Sequence, residues 1–353
     1  MLQELNENKY LWVNVAVANS LPQVALEQTA KLLLLHNFDV QRAHLDTVSD
    51  TDNGTITLLR MLVQPVHDAV VDQDVLEELK RDLKRSKWLD PSTANLVFDK
   101  YPWLGVKKGE VVTALCSLIH PILSRKNNLL YSKANILDTV TKEKNINFAS
   151  DVATLFLDRF NPASPLSNEE LHSRSNDLLT KIRNDTEDTI DAELFEKMID
   201  IVKHTLKTNI YLDDRYALSF RLDPSILTPE NETKELPYGV IFSHGRRFNA
   251  YHVRFRDIAR GGLRLVTPST PEQYALESSH QYEECYGLAY AQQLKNKDIP
   301  EGGAKAVLTC ELTGLSEAGK NFVKRKSVKA FTDSILDLGK HKRLRILILF
   351  YCF

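Results

Sequence analysis

No stretch of the sequence approaches the roughly 20 consecutive apolar residues that a membrane-spanning helix requires, so no spanning helix and no membrane partner are expected. Charge of one sign is also missing. The 45 Lys and Arg residues face 47 Asp and Glu residues, interspersed to a net charge of −2, so no basic face for nucleic acid is expected. Cysteine is scarce. Cys116, Cys285, Cys310 and Cys352 lie too far apart for a Cys-x-x-Cys metal site and are too few for a disulfide framework, so they read as free thiols of a reducing compartment. The start, "MLQELNENKYLW", carries acids and has neither a signal-peptide core nor an Arg/Ser-rich presequence, which predicts a cytoplasmic location, with a mitochondrial one as the alternative. Finally, no G-x-G-x-x-G turn occurs anywhere in the 353 residues, so a Rossmann domain is predicted to be absent.

What is present is a soluble composition, 43% apolar and 26% charged, in a chain long enough for several cores. The predicted fold class is α+β to α/β and multidomain. Residues 1–71 form a first module: "YLWVNVAVAN" alternates as a strand, Ser20 and Pro22 open a helix through His36, and "FDVQRAHLDTV" and "GTITLLRMLVQPV" are strands joined by "SDTDNG". This β-α-β-β order suits a split β-α-β sheet with its helices on one face. Residues 72–207 read as helical, with predicted helices at 72–86, 91–100, 108–124, 150–159, 167–186 and 191–206. Asp90-Pro91-Ser92 and Ser167 to Glu170 supply N-cap signals, and "NPASPL" a linker. His120, His172 and His204 lack metal-ligand spacing and read as ordinary helix residues; no metal is predicted.

From residue 208 the pattern returns to strands. "NIYLDDRYALSFRLDP", "YGVIFSHG" and "FNAYHVRFRDIA" lead into Gly261-Gly262, flanked by Arg260 and Arg264. There follow a helix from Pro271 to Lys295, a loop around "DIPEGGAK", a strand "KAVLTCEL" and a helix from Ser316 to Asp337. Both glycine pairs, Gly261-Gly262 and Gly302-Gly303, are read as turns, free of side chains and able to come close to a ligand. Arg260 and Arg264 could hold a carboxylate. Lys305 stands at the mouth of a strand, where burial and the cations Arg260 and Lys295 would disfavour its charged form and suit it to acid–base work. One return helix between the two pairs would bring them to the same sheet edge. "GLSEAGKN" at 314–321 nearly spells a phosphate-binding loop, but Asn321 lacks the hydroxyl that motif needs, and a helix start is the better reading.

"RFRDIARGGLRL" together with "QQLKNKDIPEGGAKAV" resembles the substrate domain of glutamate dehydrogenases, in particular the large NAD-specific class. The resemblance covers most of residues 10–338 and is tightest between 251 and 305. It implies oxidative deamination of L-glutamate to 2-oxoglutarate and ammonia with NAD as cofactor. It also implies a mixed-sheet substrate-binding domain at 208–338, an ACT-like first module and a homo-oligomer in the full-length enzyme. Lys305 would be the catalytic lysine, activating the water or carbonyl at the α-carbon. Lys295 would bind the α-carboxylate, with Gln293 as the competing alignment, and Arg260 would bind the side-chain carboxylate where the small hexameric enzymes carry lysine. Gly261, Gly262, Gly302 and Gly303 would complete the substrate site. Cofactor-binding residues and the family's catalytic aspartate have no match here. Residues 339–353, "GKHKRLRILILFYCF", depart from the family pattern, and the expectation is an incomplete, inactive form interrupted near Leu338. The rival is a non-catalytic small-ligand-binding or regulatory protein.

Overall fold

The computed structural model describes residues 2–5, 10–18, 20–50, 54–66, 72–186, 188–227, 234–295 and 300–339. The "SDTDNG" turn, the loop at 296–299 and the tail from 340 onward fall wholly or partly outside the described residues. The protein is a mixed α/β chain that divides into two compact units, residues 1–89 with 93–106, and residues 90–92 with 107–353.

The first unit carries β1 (Leu2–Leu5), β2 (Tyr10–Ala18), α1 (Pro22–Leu35), β3 (Phe38–Asp50), β4 (Gly54–Pro65) and α2 (Gln73–Ser86). Its sheet has the order β1-β2-β4-β3, and β4 is antiparallel to both β2 and β3. Strands β2 and β3 are therefore parallel to each other with β4 between them and α1 as the crossover, which is the split β-α-β arrangement; β1 is an addition that the sequence pattern did not show. Alternation along β2 and β4 sends Leu11, Val13, Leu59, Met61 and Val63 into one core with Ala25 and Leu33 of α1 and Leu76 and Leu79 of α2. The other face keeps Trp12 under the guanidinium of Arg60, 4.3 Å from the ring centroid. Asp72 caps α2 by accepting from Val75 N at 2.8 Å.

The chain then passes through α3 (Pro91–Asn95), a π-helical turn at Leu96–Lys100 and a 3-10 turn at Pro102–Leu104. The second unit's helices are α4 (Gly105–Leu123), α5 (Lys133–Val140), α6 (Ile146–Phe160), α7 (Asn168–Asp185) and α8 (Thr189–His204). The predicted capping box at Ser167 and Glu170 opens α7, and α5, capped by Ser132, was not foreseen. A larger sheet follows, from β5 (Thr205–Thr208), β6 (Ala217–Leu222), β7 (Gly239–Gly245), β8 (Phe248–Arg254), β9 (Ala259–Arg260), β10 (Leu263–Val266) and β11 (Gly302–Cys310), with α9 (Pro271–Lys295) and α10 (Glu317–Leu338). Its order is β10-β11-β8-β7-β6-β5, with β9 also paired to β11. The strand expected over 209–224 begins only at Ala217, after a turn in which Asp214 has φ 56°, and the one expected over 248–259 stops at Arg254.

Each face of this sheet has its own cover. On one, rings run without a break from Phe156 of α6 through Phe220, Phe242 and Tyr251 to Tyr282 of α9, with centroids 5.1, 6.1, 4.9 and 5.5 Å apart. On the other, Ala250, Ala306, Leu308 and Cys310 pack with Val323, Ala330 and Phe331 of α10. There Ser219 Oγ lies 2.6 Å from Ser334 Oγ, to which it donates, and 3.1 Å from Ser243 Oγ, from which it accepts, which satisfies hydroxyls that would be costly if buried alone. Ser316 caps α10 by accepting from Gly319 N, so the "GLSEAGKN" stretch is a helix start.

Candidate active site

The site lies where β10, α9 and β11 form a parallel crossover. Strands β10 and β11 pair in parallel from Leu263 opposite Ala306 to Val266 opposite Thr309, and β9 pairs with the start of β11, Ala259 opposite Gly302 and Arg260 opposite Gly303. The two glycine pairs thus lie side by side at the sheet edge, as a single return helix requires.

Their role differs from the turns read from sequence. Gly302 and Gly303 belong to β11, and Gly261-Gly262 separates two edge segments without a left-handed φ. What these positions need is closeness. A Cβ on Gly261 would stand 1.6 Å from Ala304 O, inside the neighbouring strand. One on Gly303 would meet Ala289 O at 2.1 Å and Gln293 N at 2.2 Å, so that glycine lets α9 rest on the strand. Gly302 lies under the 255–258 segment, its N–H donating to Ile258 O at 2.8 Å, and a Cβ there would meet Arg256 N at 2.9 Å. Gly261→Ala is expected to push β9 and β10 off β11 and to cost about 1–3 kcal/mol of stability. A chemical melt at the wild-type midpoint would contradict the close-approach role.

Because side chains alternate along β11, Lys305 emerges on the same face as Gly303, the face that α9 covers. It is part-buried, and its Nζ lies 3.8 Å from where a Cβ on Gly262 would be, so the ammonium group rests over a side-chain-free position. The strand beneath it is firmly held: Ala306 N donates to Gly262 O at 3.0 Å, and the buried Cys285 thiol of α9 donates to Lys305 O at 3.3 Å. Burial pushes that thiol up to about 12 and keeps it protonated. Cys116, Cys285 and Cys310 are all free, as the sequence predicts.

Arg260 is about half exposed and donates from Nε to Glu301 Oε2 at 2.5 Å; the guanidinium holds the Glu301 carboxyl below its ordinary value. Arg264 is paired with Glu284 of α9, also at 2.5 Å. Lys295 closes α9 as an exposed residue. Gln293, two residues earlier, has its backbone against Gly303; its Nε2 donates to Glu235 Oε1 at 2.8 Å, and its buried Oε1 has no partner among the described residues. The structure therefore brings Arg260, Gly262, Gly303 and Lys305 together along adjoining strands. Of the two competing positions on α9, it sets Gln293 against the glycines. The burial of an amide with an open acceptor could not be read from the sequence; only the helical spacing from Ala289 to Gln293 hinted at it.

This arrangement, a part-buried lysine over Gly262 with Arg260 paired to Gly303 two residues before it on the same strand, coincides with a family match. Residues 176–344 match the model described as the catalytic domain of bacterial NAD-glutamate dehydrogenase. Among curated proteins, the chain is 39% identical to glutamate dehydrogenase 2 of Dictyostelium discoideum over 162 residues, which is 46% of this chain and 15% of that protein. It is 44% identical to the NAD-specific glutamate dehydrogenase of Saccharomyces cerevisiae over 136 residues, 38% of this chain and 12% of the other. A Schizosaccharomyces pombe protein described as a probable NAD-specific glutamate dehydrogenase is 41% identical over 162 residues, 46% of this chain and 14% of its own length. Through this segment the chain is similar to NAD-specific glutamate dehydrogenases. The matched part spans only about one seventh of their length or less.

Proposed function

We propose that this chain carries the substrate half of an NAD-dependent glutamate dehydrogenase, an oxidoreductase that interconverts L-glutamate with 2-oxoglutarate and ammonia. The observation that carries this reading is the placement of Lys305 over Gly262 on the strand that also sets Gly303 beside Arg260. Lys305 holds the oxygen of the 2-oxo group or of the attacking water through its N–H donors. It stabilises negative charge as that charge develops and shuttles the proton while an iminium forms or is hydrolysed. Arg260 receives a substrate carboxylate by exchanging Glu301 for it, since Glu301 already holds a carboxylate on the guanidinium Nε. Gln293 or Lys295 meets the second carboxylate.

NAD, when bound, supplies the hydride acceptor. The described residues do not fit it. The loop between β10 and α9 reads "TPST", with no glycine to admit a pyrophosphate to the helix N-terminus, and among the described residues β9 and β10, the segments that pair in parallel with β11, share that one crossover. The proposal therefore places the nucleotide on residues other than these, and the 353 residues alone bind substrate without turning it over. It extends to a cytoplasmic homo-oligomer and to an ACT-like regulatory role for the first unit, which its split β-α-β sheet supports. Among the described residues no helix is long and apolar enough to cross a membrane.

Calorimetric titration with 2-oxoglutarate tests the site. Saturable binding weakened at least tenfold by Lys305→Ala, about 1.4 kcal/mol or more, is expected. Unchanged affinity in that variant would remove Lys305 from the site and with it the proposal.

A further inference from the structure

A second recess opens on the opposite face of the same sheet, the one covered by α10. Its floor is Gly239, which pairs with Arg254 across β7 and β8, and its walls are Arg221, Tyr238, Ile241, His252 and Arg254. Alternation places His252 opposite Ala306, whose side chain packs in the α10 cluster, so this recess and Lys305 look out from opposite faces. With a volume of about 40 Å³ it has room for about three water molecules or one small oxyanion.

Its chemistry is one-sided. A Cβ on Gly239 would lie 3.9 Å from Arg221 Nη2 and 3.9 Å from Arg254 Cγ, so the glycine leaves open the space between two guanidinium side chains. Their described hydrogen bonds all run to main-chain carbonyls: Arg221 Nη1 donates to Leu338 O at 3.3 Å, Arg254 Nε to Arg256 O at 3.1 Å and Arg254 Nη2 to Asp257 O. Asp257 also lines the recess, and its carboxylate acts on Arg254 through space, so one negative charge faces two positive ones and a net positive charge remains. His252 adds an independent mark. Its Nδ1 is buried and has no hydrogen-bond partner among the described residues, and burial together with Arg254 pushes the imidazole down to about 3, so at neutral pH it is an uncharged ring whose Nδ1 is open among those residues. A buried polar atom left open beside two guanidiniums is costly unless a ligand completes it.

We infer that Gly239, Arg221, Arg254 and His252 form a binding site for a small oxyanion, a phosphoryl or carboxylate group, on the face opposite the substrate site. The anion accepts from the arginine forks and from the Nδ1–H tautomer of His252. Nothing in this depends on what Lys305 does.

The test is thermal melting of the 353-residue chain against inorganic phosphate and against succinate, each compared with chloride at equal ionic strength. A saturable rise in Tm is expected. Preference for phosphate assigns the site to a phosphoryl ligand, and preference for succinate to a carboxylate. Arg254→Gln should raise the half-saturating concentration at least tenfold. Gly239→Ala should do the same by occupying the floor with ordinary contacts to its neighbours, and it decides the matter if Arg254→Gln fails to melt cooperatively. Lys305→Ala should leave the response intact. A Tm that follows ionic strength alone, a wild-type response in Gly239→Ala, or loss of the response in Lys305→Ala would each overturn the site.

Discussion

Mixed with L-glutamate and NAD, the purified 353-residue polypeptide is expected to form no NADH, while it still binds 2-oxoglutarate. Hydride transfer requires the nicotinamide to be held against the α-carbon, and pre-positioning of that kind corresponds to effective concentrations of about 10⁵–10⁸ M. A dinucleotide is gripped by a glycine-rich strand-to-helix turn that turns backbone N–H groups toward its pyrophosphate. The 353 residues contain no G-x-G pair at all, and the one parallel strand-to-helix turn beside Lys305 runs through Thr267, Pro268, Ser269 and Thr270. With the substrate held and the acceptor free in solution, the rate falls below detection. Spectrophotometry at the NADH absorbance band settles it: turnover that vanishes in Lys305→Ala would mean that these residues bind the nucleotide after all.

The second large effect concerns stability. Asp90→Ala is expected to lower the free energy of unfolding by about 3–5 kcal/mol, the usual cost of removing one partner from a buried charge network. Asp90 is buried, with Oδ1 accepting from Ser92 N at 3.0 Å and from Ser92 Oγ, and Oδ2 accepting from Arg247 N at 3.1 Å. That last bond holds Arg247 in a left-handed conformation, φ 61°, at the two-residue turn between β7 and β8. Burial opposes ionisation of Asp90, but His244, Lys133 and the Ser92 hydrogen bonds outweigh it and bring its carboxyl below the ordinary value. Lys133 is likewise fully charged despite burial, held so by Tyr274, Asp90 and Glu311. Since the folded-state pKa of Asp90 is lowered, its contribution is complete above the unfolded value of about 4 and is lost as the pH falls through the folded one. Urea titrations should therefore show the gap between wild type and Asp90→Ala to be full at neutral pH and smaller below about pH 4. A variant as stable as the wild type at neutral pH would show that the cluster contributes nothing.

Elements with strong local signals are legible in the sequence. Helix α9 runs from Pro271 to Lys295 as read, the cap at Ser167 sits where its side chain suggested, the last helix starts beside Ser316 as expected, and three cysteines are free thiols. Two elements escaped notice for lack of length: β1 has four residues, and α5 has eight behind a loop rich in polar residues. The glycine pairs show a different limit. A glycine needed for a turn and a glycine needed because another strand presses on it look alike in a sequence, and the atoms that press on Gly261 and Gly303 belong to residues 304, 289 and 293. The same holds for the arginine recess, whose floor at Gly239 and wall at Arg254 meet only through the pairing of β7 with β8. Lys295 and Gln293 could not be separated by spacing, because which side of α9 meets the strand is decided by that packing.

The unbroken column of rings from Phe156 to Tyr282 bears on how this protein can be dissected. A fragment cut at residue 208, where the strand pattern resumes, would keep Phe220, Phe242, Tyr251 and Tyr282 but lose Phe156 and the helix that carries it. Phe220 is 0% exposed in the intact chain and would become an open aromatic surface, so such a fragment should be sticky and poorly soluble. An excised piece intended for crystallisation or ligand screening should start upstream of Ile146 and carry α6 with it.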